Sequence, residues 1–162
     1  MEESWLHILE ANEFQGATVV ASYHSYGDEP STSAINAELI RRGVQLLLPR
    51  LLPNNDLEWV LWDGNENSLA AHGRVQEPHG FAFTKLDLID VVILPALHID
   101  RYGNRLGQGG GSYDRALQRI RGWSIALIHH GELTSEILPV EVHDQRVNAA
   151  ATPDLIARFP SI

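Results

Sequence analysis

Ile89 to Leu94 is a near-continuous apolar run that stops at Pro95. A run so short and so apolar has no face to give to water, so it reads as a central strand covered on both sides, as in parallel sheets. Other short apolar runs repeat the theme: Ala17 to Tyr23, Val44 to Leu48 closed by Pro49, Glu58 to Trp62, Ser124 to Ile128, and a last one near Val147 to Ala151. Helical stretches fall between them. Pro30 and Ser31 open one with Ala34, Leu39 and Ile40 inward and Gly43 as its stop, and a second starts at about Ser112. Met1 to Glu10 reads as the tail of a short helix with Trp5 and Ile8 or Leu9 on one face. Leu69 to Phe83, with Gly73, Pro78 and Gly80, reads as a short strand followed by a loop. The alternation predicts an α/β fold, a single-domain layered sandwich with a mainly parallel central sheet flanked by helices.

Composition narrows the function classes. With 162 residues, 44% of them hydrophobic, the chain suits one domain with a real core, spanning 1–162. It has no apolar run of the ~18 residues a membrane span needs, and Met1-Glu2-Glu3-Ser4 lacks the plan of a signal peptide. A cytoplasmic protein, expected to be a monomer and not to bind membranes, follows. The absence of cysteine removes disulfides, thiolate metal sites and a cysteine nucleophile. A net charge of −9 argues against nucleic acid as a partner. Yet Asp100 to Arg121 holds five arginines against two aspartates, which gives a small anion one obvious destination.

That basic stretch contains Asn104-Arg105-Leu106-Gly107-Gln108-Gly109-Gly110-Gly111-Ser112-Tyr113-Asp114-Arg115, with four glycines in five positions directly before a helix. Tyr113, Ala116, Leu117 and Ile120 fall at i, i+3, i+4 and i+7, one buried stripe. Glycines let backbone amides approach a ligand, and a helix start adds unpaired N–H groups and partial positive charge, so the segment suits a phosphate; a flexible loop is the plain alternative. The spelling excludes two standard cradles. After Gly107 and Gly109 the third glycine of a dinucleotide fingerprint would fall on Ser112, and the Gly-Lys-Ser/Thr of a P-loop is absent. Asp114 in the first helical turn either complements the helix dipole or reaches a phosphate through magnesium.

The string Arg-Leu-Gly-x-Gly-Gly-Gly-x-Tyr-Asp-Arg, preceded by Pro95-Ala96-Leu97, Asp100 and Gly103, resembles the signature of the 5-formyltetrahydrofolate cyclo-ligases. Tyr23 to Thr32 with Asp28-Glu29, then Glu77-Pro78, then Pro139 to Thr152 with Glu141, His143 and Asp144 resemble further family segments in the right order, so the likeness runs along nearly the whole chain. It implies ATP- and magnesium-dependent conversion of 5-formyltetrahydrofolate to 5,10-methenyltetrahydrofolate through a phosphorylated formyl group, with release of ADP and phosphate. By resemblance, Arg105 and Tyr113 are catalytic. Arg105, Leu106, Gly107, Gln108, Gly109, Gly110, Gly111, Ser112 and Tyr113 bind ATP, with Gln108 to Ser112 also approaching the folate. Asp114 and Asp144 hold magnesium, Glu29 contacts the pterin, and His24 takes the other folate-side position.

Two departures stand out. The family's N-terminal helix carries a Lys and an Arg that reach the ATP phosphates, whereas Met1 to Phe14 has neither, so this basic helix is expected to be missing. Gln108 and Ser112 stand where family members often have basic or aromatic residues. A downstream start, a truncated chain and a non-catalytic folate- or nucleotide-binding relative stay open, as does a phosphosugar-binding protein of similar architecture. The eight histidines lack the helical i, i+4 pair with a glutamate that marks a zinc hydrolase, and no Gly-x-Ser-x-Gly elbow occurs. Trp5, Trp59, Trp62 and Trp123 sit in apolar contexts expected to be core.

Overall fold

The structure, a computed structural model, describes residues 3–106, 111–139 and 144–160. In chain order the strands are β1 (Val19–Ala21), β2 (Gln45–Leu51), β3 (Leu57–Leu61), β4 (Ala70–His72), β5 (Val75–Glu77), β6 (Val91–Pro95), β7 (His98–Asp100), β8 (Arg105–Leu106), β9 (Trp123–Leu127), β10 (Leu133–Thr134), β11 (Ala149–Ala151) and β12 (Ile156–Arg158). The helices are α1 (Ser33–Arg41) and α2 (Ser112–Gln118), with 3-10 turns at Leu6–Glu10 and Asn12–Phe14. Seven strands form one sheet in the order β12-β11-β9-β6-β1-β2-β3. The five inner strands run parallel, and β3 and β12 close the edges antiparallel.

The apolar runs dictate this arrangement. In β6, Val91 and Ile93 face one side of the sheet and Val92 and Leu94 the other, all four fully buried. The first side packs on the N-terminal turns and α1 through Trp5, Ile8, Leu9, Ile35 and Leu39, and the second on α2 through Ala116 and Ile120. Each such aliphatic side chain contributes about 1.5–3 kcal/mol when fully buried. Trp5 locks the start of the chain in place, its indole N–H donating to the Ile128 and Ala151 carbonyls at 3.0 and 3.1 Å. The expected layered α/β sandwich is therefore observed. Among the described residues no helix is long and apolar enough to cross a membrane.

Several local expectations need correction. In α1, Leu39 and Ile40 pack inward as expected, together with Ile35 and Asn36, while Ala34 is exposed. Pro49 does not end β2. Hydrogen bonds to β3 fall at Leu46 and Leu52, so by strict alternation position 49 turns its nitrogen away from β3, and β1 pairs no further along β2 than Leu47. A missing N–H costs nothing there. The 69–83 stretch holds two strands, β4 and β5, paired as a hairpin around Gly73 and Arg74. β7, β8 and β10 form a small second sheet, and β12 adds an edge strand beyond the expected last one.

Candidate active site

Parallel strands place their carboxyl ends along one edge, where open α/β sheets bind ligands. The residues that leave β1, β6 and β9 at that edge are Tyr23 and His24, Ala96 and Leu97, and His129, and all of them line one cavity of about 1370 Å³.

Neutral hydrogen bonds build the wall after β1. The Tyr23 hydroxyl donates to the Pro30 carbonyl at 2.6 Å, and the Tyr23 carbonyl accepts from Thr32 Oγ1 at 2.6 Å and Asn36 Nδ2 at 3.0 Å. The turn fixed in this way carries His24 and Glu29. Glu29 accepts the Tyr26 N–H at 3.0 Å, and burial pushes its carboxyl above the usual range, with that N–H opposing. Burial also raises the Tyr23 and Tyr113 phenols, and the charge of Glu29 adds to both, so Glu29 and the two tyrosines share one low-dielectric patch. His24 holds Glu66 through Nε2 at 2.8 Å and meets the Trp62 ring edge-on, while its buried Nδ1 has no partner among the described residues.

Charged groups build the opposite wall. Asp100 is fully buried at the end of β7. Its Oδ1 accepts the N–H groups of Tyr102 and Asn104, and its Oδ2 accepts Asn104 Nδ2 and the Leu138 N–H, all at 2.9–3.0 Å. Burial works to raise the Asp100 carboxyl, but the Asn104 amide and the three N–H groups together hold it below its usual value. The knot tightens the turn into β8, where Gly103 has φ +83° and any Cβ would stand 2.5 Å from the Val147 carbonyl. β8 then presents Arg105. Its Nη2 donates to Asp114 Oδ1 at 2.8 Å, and the same oxygen accepts the Gln145 N–H at 3.0 Å. The Arg105 side chain is only 7% exposed and lies 5.9 Å from the Tyr113 ring centroid, and its buried Nε has no partner among the described residues.

Helix α2 starts from Gly111, whose φ of +67° suits a residue without Cβ. The β2–β3 turn braces this helix start. Ser112 Oγ and Arg115 Nη2 donate to the Asn55 carbonyl, while Arg115 Nε and Arg119 Nη2 donate to Asp56. Arg115, which flanks the glycine loop in sequence, therefore secures the helix instead of facing an anion. The expected stripe of Tyr113, Ala116, Leu117 and Ile120 packs on the core.

The cavity wall brings together His24, Glu29, Arg105, Leu106, Gly111, Ser112, Tyr113, Asp114 and Asp144. Gly107, Gln108, Gly109 and Gly110 lie outside the described residues. The residues present suit an anion with a hard cation. Arg105 keeps a buried donor in reserve, Gly111 opens a helix start, and two carboxylates share the wall. Among the described residues no group of three or more His, Asp or Glu side chains could cage a metal. The β4–β5 hairpin also lines the cavity. Of it, sequence reasoning had marked only Glu77, through the resemblance of Glu77-Pro78.

The model of the 5-formyltetrahydrofolate cyclo-ligase family matches residues 2–153. The 5-formyltetrahydrofolate cyclo-ligase of Mycolicibacterium smegmatis is 34% identical over 92% of this chain and 78% of its own length. The Escherichia coli K12 protein of the same name is 32% identical over 86% and 80%. In fold, the chain is similar to the NMR structure of 5,10-methenyltetrahydrofolate synthetase from Aquifex aeolicus, with a TM-score of 0.80 and 24% identity, covering 96% of this chain and 78% of that one.

Proposed function

Because the chain belongs to the 5-formyltetrahydrofolate cyclo-ligase family, we propose that its cavity brings ATP, magnesium and 5-formyltetrahydrofolate together to form 5,10-methenyltetrahydrofolate, ADP and phosphate. The single observation that supports this reading most is the make-up of one cavity wall. A carboxylate raised by burial, Glu29, stands on one side; on the other stands Arg105, a buried arginine that is paired with Asp114 and whose Nε has no partner among the described residues, and Asp144 lines the same cavity.

In this reading the formyl oxygen attacks the terminal phosphorus of ATP, and ADP leaves with the bridging electron pair. The neighbouring N10 amine then adds to the activated carbon, and phosphate departs with the former formyl oxygen and takes up the proton that N10 loses. No protein nucleophile is needed, only positioning and charge neutralisation. Arg105 donates through Nε and Nη groups to oxygens that gain charge during transfer, in a place where little water competes. Its pairing with Asp114 sets its direction, and Gln145 N–H fixes Asp114 in turn. Asp114 and Asp144 would hold magnesium, which supplies charge neutralisation between phosphate oxygens. Glu29 accepts hydrogen bonds from the pterin ring, and Tyr113, kept protonated by its surroundings, closes the patch between the two substrates. The cavity exceeds the ~1,000 Å³ upper range of one drug-sized ligand, as a two-substrate reaction requires. We place the enzyme in the cytoplasm as a monomer acting on small molecules.

The test is a spectrophotometric assay for the methenyl chromophore with 5-formyltetrahydrofolate, ATP and magnesium. Wild-type turnover that is lost in Arg105→Ala and Asp114→Asn supports the reading. Folate or ATP binding without turnover would mean a non-catalytic member.

A further inference from the structure

One arm of the cavity wall takes no part in the chemistry above. The β4–β5 hairpin is tied at its base: Glu77 accepts the Leu51 N–H at 2.8 Å and holds His72 Nδ1 at 2.9 Å, and Arg50 Nη1 donates to the Pro78 carbonyl at 3.3 Å. Its tip is different. Arg74 follows Gly73, which has φ +63°, in a two-residue turn, and it is exposed to the cavity with no hydrogen-bond or ion-pair partner among the described residues. The chain carries 21 acidic side chains against 12 lysines and arginines, and the other arginine that lines the cavity, Arg105, is held by Asp114. An unpaired guanidinium facing a cavity in so acidic a chain is available to a ligand carboxylate.

The same cavity has an apolar lining from Pro49, Leu51, Leu57 and Val75, with Leu51 left 37% exposed. A reduced folate has three chemical parts: a polar pterin, a flat aminobenzoyl ring, and a glutamate tail with two carboxylates. The cavity offers a surface for each. Glu29 suits the pterin, Leu51 and Val75 suit the ring, and Arg74 suits the tail.

We propose that Arg74 at the β4–β5 tip binds the glutamate carboxylates of the folate substrate and so makes the enzyme select for tailed folates. This rests on the folate reading above. It assigns Arg74 to affinity and not to chemistry, since the tail lies at the opposite end of the substrate from the formyl group.

The experiment compares 5-formyltetrahydrofolate with 5-formyltetrahydropteroate, which lacks the glutamate, on wild type, Arg74→Ala and Arg74→Lys. The expected result is a KM for the tailed substrate raised about fivefold in Arg74→Ala, with the pteroate KM moved less than about twofold. Arg74→Lys should restore part of the loss, and rising salt should erode the wild-type preference. Equal effects on both substrates, or none on either, would overturn the assignment while leaving the cyclo-ligase reading intact. If wild type turns nothing over, the same comparison is made on dissociation constants from tryptophan fluorescence. A chain that binds neither compound overturns both readings.

Discussion

The two walls of the cavity are fastened by different forces. Hydroxyls and amides fix the β1 side, with Tyr23 on Pro30, Thr32 and Asn36 on the Tyr23 carbonyl, and Ser22 on Asn36. Charges fix the β7–β8 side, with Asp100 under four donors, Arg105 on Asp114, and Arg115 and Arg119 on Asp56. Each wall thereby acquires a different carboxylate. Glu29 has no cation beside it among the described residues and is raised by burial, so it suits neutral N–H donors. Asp114 has an arginine and a backbone N–H on one oxygen, so the carboxylate is held in a fixed direction, as a metal or phosphate site requires. The same residue class thus serves two purposes through its surroundings.

The largest effect should come from breaking the charged wall at its centre. Arg105→Ala removes both the donors facing the cavity and the partner of Asp114. The kcat should fall by about 10³-fold, the size seen when a preorganised donor to developing charge is lost, with folate affinity changed far less. Single-turnover kinetics with separate folate titrations would check the split, and an equal loss of folate binding would mean that the two walls are not separable.

Next in size is Asp100→Asn, which turns an amide N–H₂ toward groups that are already donors. Leaving even one or two buried donors unpaired costs about 2–4 kcal/mol, a drop in Tm of about 5–15 °C at this chain length. The matching change on the neutral wall, Tyr23→Phe, removes one neutral bond at about 1 kcal/mol. Thermal melts of the two variants measure the difference between the walls directly, and equal losses would abolish it.

How much of this could be read beforehand follows the physics of each part. The run from Ile89 to Leu94 announced a doubly covered strand because burial on both faces leaves no room for polar residues, and Val91–Pro95 sits at the sheet centre. Strands of two or three residues, such as β8 and β10, are too short to show any period, so the hairpin that presents Arg105 was invisible. Pro49 misled because its cost depends on which way its nitrogen points, a tertiary fact. Asp144 and Glu29 were legible only as a resemblance, Arg105 and Asp114 also from the basic glycine-rich segment before a helix, and their convergence on one cavity is supplied by strand ends far apart in sequence. Arg115 and Arg74 show the limit. Charge alone counted the first in the basic stretch offered to an anion, yet it braces α2 on Asp56, while the second carried no signal at all.

A smaller effect should follow from changing the neutral wall. Glu29→Gln keeps an acceptor for the Tyr26 N–H but replaces one carboxylate oxygen by a donor, so one of two hydrogen bonds to the pterin is lost. The KM for 5-formyltetrahydrofolate should rise about tenfold, near 1.4 kcal/mol, with KM for ATP unchanged. A parallel rise in both would place Glu29 in the structure of the cavity and not at the folate.

The smallest effect is the most diagnostic, because the two walls must respond to acid with opposite signs. The Glu29 carboxyl is raised in the folded protein, so its contribution to stability is full below its unfolded pKa and is lost as pH rises through the folded value. At pH 7 the ionised Glu29 is therefore a burden, and Glu29→Gln should raise Tm by about 1–2 °C, a gain that vanishes near pH 4. The Asp100 carboxyl is lowered, so its contribution is present above its unfolded pKa and is lost as pH falls through the folded value. The penalty of Asp100→Asn should accordingly be greatest at pH 7 and shrink toward pH 3. Melting curves of both variants across that range would show one difference from wild type shrinking from above and the other from below. If both had the same sign, burial and hydrogen bonding would not be the opposing causes that set the two walls apart.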